Sequence, residues 1–138
     1  MNKKEGFAYF GAEQINERWS WAAATPDRDK VVITLWTHEL RGQGVAQYYD
    51  TRELGHTCWQ EGQGNKERIK LLKHAQDNLD SVLYVLMCKA KDKDKKDKEI
   101  EEVYPWASKT HNHRMKLTFF DSATGDYRVE YLDSVPKE

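Results

Sequence analysis

The run Ser81-Val82-Leu83-Tyr84-Val85-Leu86-Met87-Cys88-Lys89-Ala90 constrains the fold more than any other stretch of this chain. It is apolar at successive positions, so as a strand it turns hydrophobic side chains to both faces of a sheet. The run is far too short to cross a bilayer as a helix. A central strand covered on both sides is expected, and the rest of the chain has to supply the cover.

One segment has a convincing helical stripe. From Lys66 to Leu79, apolar residues recur as Ile69, Leu72, Ala75 or Gln76, and Leu79, with Leu71 beside them. Asn65 is the expected N-cap, and Lys66, Arg68, Lys70, Lys73 and His74 fall on the opposite face. Arg18 to Ala24 and Lys30 to Trp36 read as an antiparallel hairpin across Thr25-Pro26-Asp27-Arg28-Asp29, whose Pro-Asp pair is turn chemistry. Val45 to Asp50 is a third strand. Met115 to Asp121 and Tyr127 to Leu132 form a closing hairpin, with Gly125 where a positive φ is wanted.

The remaining segments are shorter or less regular. Gly6 to Gly11 reads as an edge strand or a lead-in, Ala12 to Glu17 as one helical turn, and Ile100 to Tyr104 as a short strand or turn. Thr37 to Gly44 and Thr51 to Gly64 are loops. Lys91 to Glu99 is a low-complexity charged run, expected to be a solvated, mobile loop. The sum is a single α+β domain over residues 1–138. It has a strongly bent mixed or antiparallel sheet, or a small open barrel, of about six strands with one main helix.

Charge narrows the function. Lys and Arg number 22 against 23 Asp and Glu, a formal net charge of −1, so the chain as a whole is no electrostatic nucleic-acid binder. A local basic face remains open. Two cysteines make no disulfide framework, and Cys88 reads as a small buried hydrophobe. Nothing at the start resembles a signal peptide, so a cytoplasmic protein without a membrane partner is expected.

Three groups of residues carry candidate chemistry. The first is aromatic: Trp19, Trp21, Trp36, Tyr48, Tyr49, Trp59 and Trp106 are either core or the walls of a pocket for a flat ligand such as a nucleobase. Trp21 and Trp36 suit core plugs; Trp59, in a glycine-bearing loop, and Trp106, after Pro105, suit a ligand better. The second is basic: Lys66, Arg68 and Lys70, with Lys73, are placed to contact phosphates near the helix start, and Arg41, Arg52 and Arg114 extend the track if the fold unites them. The third is a set of four nitrogen and sulfur ligands, His56, Cys58, His111 and His113, the right number for zinc but at unusual spacing. Cys58 beside His56, with Asp50 or Glu53, also offers a thiol–base arrangement, but no motif supports catalysis. No cofactor is expected.

Arg18-Trp19-Ser20-Trp21, Val32-Ile33-Thr34-Leu35-Trp36, Glu67-Arg68-Ile69 and Tyr84 to Ala90 occur in an order that resembles two related groups. These are the accessory domains ahead of HNH-type nucleases in modification-dependent, restriction-like systems, and the broader PUA-like group of EVE, ASCH, YTH and SRA relatives. The resemblance spans residues 6 to 132 in element order. It implies a non-catalytic reader that stacks a modified or flipped base, with Trp19, Trp21, Trp36 and Trp59 as walls. The implied partner is nucleic acid, DNA ahead of RNA, alongside a nuclease or another defence protein. The near-neutral charge and the absence of an HNH motif depart from that pattern, and suit a reader separated from its nuclease, a free-standing regulator or a fragment. Two other functions fit the same residues: a protein-interaction factor of a defence or counter-defence system, and a metal-dependent enzyme.

Overall fold

The computed structural model describes residues 1–16, 20–54, 63–92, 94 and 99–137. The elements in order are α1 (Lys3–Tyr9), β1 (Ala22–Ala24), β2 (Val31–Trp36), β3 (Tyr48–Asp50), α2 (Gln63–Asn78), β4 (Val82–Ala90), β5 (Ile100–Pro105), β6 (His111–Phe120) and β7 (Tyr127–Pro136). The seven strands form one unclosed sheet in the order β1-β2-β4-β6-β7-β3, with β5 also on β4. It is a mixed sheet: β2 and β4 run parallel from Val32↔Tyr84 to Trp36↔Cys88, and the other pairs are antiparallel. The expected small α+β fold with one main helix is what forms.

The sheet is arranged around β4. One edge of β4 takes β2. The other is divided, with Val82 to Tyr84 pairing β6 and Leu86 to Ala90 pairing β5. At the changeover the Trp106 N–H donates to the Val85 carbonyl. The β6–β7 hairpin shifts register at Arg114/Met115 and again at Leu117/Phe119. Such irregularities bend a strand and raise its twist.

Alternation along β4 builds two cores. Leu83, Val85 and Met87 pack with Leu71, Leu72 and Ala75 of α2 on one face. Leu86 and Cys88 pack with Phe7 and Phe10 of α1 on the other. Both faces are therefore covered, as the composition of the strand demands. Helix α1 lies so close that a Cβ on Gly6 would stand 2.5 Å from Leu86 Cδ1.

Several local expectations change. Gly6 to Gly11 is no edge strand; most of it belongs to α1, which is started by a capping box. Asn2 Oδ1 accepts from the Glu5 N–H while Glu5 Oε1 accepts from the Asn2 N–H, two otherwise unsatisfied donors met at once. Ala12 to Asn16 is not helical. Of the predicted third strand only Tyr48 to Asp50 pairs, because Gly44–Ala46 is a 3-10 turn. Ile100 to Pro105 is a strand, one of the two forms expected there, and the β6–β7 hairpin is longer than expected at its open end, starting at His111 and finishing at Pro136. Helix α2 begins at Gln63 rather than Lys66, so Asn65 lies inside it instead of capping it. Within the charged run, the Lys91 N–H donates to the Glu99 carbonyl; residues 93 and 95–98, which carry most of the expected mobile loop, lie outside the described residues.

Candidate functional site

The predicted aromatic pocket is not gathered in one place. Trp19 and Trp59 lie outside the described residues. Trp21 and Trp36 are half-buried neighbours, ring centroids 6.1 Å apart, with Lys3 Nζ 4.2 Å from the Trp21 ring. Trp36 packs on the α1-side core, whereas Trp106 packs on the α2-side core. The sheet thus stands between Trp36 and Trp106. Tyr48 sits at the far edge, on β3, where the Arg128 guanidinium lies 4.1 Å from its ring and Glu53 accepts from its hydroxyl. Tyr49 is buried against Tyr127.

The predicted basic track also fails to assemble. Lys66 and Lys70 are exposed on α2, as expected, and Lys73 pairs with Asp77 at 3.4 Å. Arg68 is a correction: it is only 8% exposed, donates to Asn65 Oδ1 and holds its guanidinium 5.4 Å from the Tyr127 ring. Position 68 shares the inward stripe of Leu72 and Ala75, so helical geometry buries it whatever its charge. Arg41, Arg52 and Arg114 each face a carboxylate, and Arg128 shares those of Arg41 and Arg52. Arg41 lies 3.8 Å from Glu53. Arg52 makes a bidentate pair with Asp50 at 3.0 and 2.8 Å, and Arg114 another with Asp133 at 2.7 and 2.6 Å. Hydrogen bonding from Arg52, with Arg128 adding to it, holds the Asp50 carboxyl below the usual range.

The histidine and cysteine set is divided too. His56 and Cys58 lie outside the described residues, and no cluster of three or more metal-ligating side chains occurs among those that are described. His113 Nδ1 is 2.6 Å from Ser134 Oγ, which is 2.9 Å from the Tyr131 hydroxyl. The Trp106 ring lies 4.9 Å from the His113 ring. Burial, with His111 nearby, holds the His113 imidazole below its usual pKa. Burial pushes the Cys88 thiol up to about 12, which leaves it unreactive at neutral pH.

A different constellation does come together. The end of α1, the start of β6 and the end of β7 enclose an open groove of about 640 Å³, lined among others by Tyr9, Phe10, Lys30, Tyr84, Asn112 and Lys137. Tyr9 meets Phe10 edge-on at 4.9 Å, and Phe10 lies 5.4 Å from Tyr84. Lys30 Nζ stands 5.7 Å from the Tyr84 ring and Lys137 Nζ 5.7 Å from the Tyr9 ring. The Tyr9 hydroxyl donates to Asn112 Oδ1 at 2.8 Å. Tyr9 is 41% exposed, so its ring is available to a ligand. Asp27 lies in the field of Lys30, and Arg114, which faces Tyr84 across the β4–β6 pair, is held by Asp133. No carboxylate lines the groove itself among the described residues, unlike the two smaller recesses beside α1, which include Glu101 and Glu13.

The local sequence explains the groove. The capping box fixes α1, and Gly11, at φ +77°, turns the chain away after Tyr9 and Phe10. Alternation in β4 puts Tyr84 on the face of Leu86 and Cys88, where α1 stops short of covering it. None of these residues stood out in the sequence. The usable signals were the Asn2-x-x-Glu5 spacing and a tyrosine in an otherwise aliphatic run. Comparison with protein-family models, curated proteins and solved structures finds no match to this chain.

Proposed function

We propose that this protein is a non-catalytic nucleic-acid-binding module whose ligand lies in the groove between α1 and the β6–β7 end, a base stacking against Tyr9 and Tyr84 and phosphates meeting Lys30 and Lys137. The observation that carries this is the meeting of two tyrosine rings and two lysines in one groove that no carboxylate lines among the described residues. Aromatic rings stack on any base for about 1–3 kcal/mol, and lysines place the backbone without reading sequence. The net charge of −1 supplies no long-range attraction, so binding rests on this local arrangement. The PUA-like resemblance adds the finer proposal that the stacked base is modified and carried by DNA.

Anisotropy titration of labelled oligonucleotides, matched except for one modified base, tests both levels. Binding weakened roughly tenfold or more by Tyr9→Ala, in line with the loss of one stacking contact, supports the groove. Discrimination between matched oligonucleotides supports the modified-base reader. A folded protein that binds no oligonucleotide, and forms a complex with another protein instead, overturns the proposal in favour of the interaction factor.

A further inference from the structure

We infer that Asn112 reads the edge of the bound base as a hydrogen-bond donor, so that the groove selects keto bases (guanine, thymine, uracil) over amino bases (adenine, cytosine). This inference rests on the nucleic-acid reading above. Asn112 is half-buried on β6, its backbone held between Val135 of β7 and Ala107. Its side chain lines the groove beside Tyr9 and Tyr84. The Tyr9 hydroxyl donates to its Oδ1 at 2.8 Å. With the amide in that orientation the NH2 group is the end that makes no hydrogen bond among the described residues. A donor therefore stands beside the rings on which a base would stack.

The chemistry of base edges does the rest. Guanine O6 and thymine or uracil O4 accept a hydrogen bond where adenine and cytosine carry an amino group that donates. A donor set against a donor leaves both unpaired as water is excluded, and sites built on one hydrogen bond discriminate on that ground. Both partners sit on regular elements, Tyr9 on α1 and Asn112 on β6, so the backbone that carries the donor is held in place.

Uracil and cytosine differ at C4 in just this way, and hypoxanthine and adenine at C6. The test is anisotropy titration of the full chain with oligo(dU) against oligo(dC), and with oligo(dI) against oligo(dA). The keto member of each pair should bind about tenfold tighter, the scale of one base-edge contact. Asn112→Asp keeps an acceptor for the Tyr9 hydroxyl and replaces the donor by an acceptor, so the preference should invert. Tyr9→Phe keeps the ring and frees the amide to turn, so the preference should fall towards one while binding persists. Circular dichroism and melting confirm that each variant is folded. Equal binding of both members of each pair, or a preference untouched by both substitutions, overturns the role of Asn112 and leaves the groove reading standing. No binding of any oligonucleotide by the folded protein overturns both.

Discussion

Replacing Gly6 by alanine should destabilise this protein although it improves the helix. In an exposed helix interior the change is worth about 1 kcal/mol in favour of alanine. Here the new methyl would lie 2.5 Å from Leu86 Cδ1, 2.8 Å from Cδ2 and 3.1 Å from Cγ. Leu86 is fully buried in the layer that also holds Phe7, Phe10 and Val32, so any shift of its side chain has to be taken up by packed neighbours. Overpacking of this kind costs about 1–3 kcal/mol. Taking the middle of that range, the difference is a net loss of about 1 kcal/mol, or roughly 3 °C in Tm. Urea unfolding followed by circular dichroism measures it. The decisive comparison is a Leu86→Ala background, where the methyl meets space instead of a side chain. There Gly6→Ala should stabilise by about 1 kcal/mol, giving a coupling between the two sites of about 2 kcal/mol. The same effect in both backgrounds, or a full gain in the unaltered protein, would refute the close approach of α1 to β4.

Three further outcomes follow from the same structure. His113 has its pKa lowered, chiefly by burial, so its contribution to stability is complete above the ordinary value of about 6.5 and is lost as pH falls through the lowered one. Trp106 emission should be quenched over that interval, and His113→Gln should remove the step. Glu67 has its pKa raised by burial despite accepting from Ser20. Its contribution is complete below the ordinary carboxylate range and lost as pH rises through the raised value. Glu67→Gln should therefore shrink the fall in stability, followed by urea midpoints, as pH rises from the acid range to 7; an unchanged slope counts against the burial. If Lys30 and Lys137 each neutralise one phosphate, log K should fall against log salt with a slope of about −1.4 for single strands. Halving of that slope in Lys137→Ala would support the assignment, and an affinity indifferent to salt would end it.

How much of this was legible in the sequence follows from the range of the interactions. β4 announces itself because Leu83, Val85 and Met87 alternate with Leu86 and Cys88, and α2 because Leu72, Ala75 and Leu79 keep helical spacing. The β6–β7 turn is local chemistry, and Gly125 adopts φ +83° as its position suggested. The parallel pairing of β2 with β4 is set by no neighbouring residues, and it determines which strands are central. Arg68 shows a different failure: its charge argued for the outer face, where the sequence reading set it, although position 68 keeps helical spacing with the buried Leu72 and Ala75. The groove was the least legible feature. Tyr9, Tyr84 and Asn112 come from α1, β4 and β6, Lys30 from the residue before β2 and Lys137 from the residue after β7, and only tertiary structure makes them neighbours. The sequence drew attention to tryptophans because they are rare and large, and those described are shared between the sheet edge and two cores.

The two ends of the sheet bear on how the folded chain behaves in concentrated solution. An open sheet usually ends in a row of unpaired amide and carbonyl groups on which a second molecule can add a strand. Here the terminal strands β1 and β3 are three residues each, too short to template stable cross-molecule pairing. The two ends therefore offer little surface for growth, and the longer open edge among the described residues is the outer side of β5, six residues that pair with β4 alone, so strand addition between molecules would fall there.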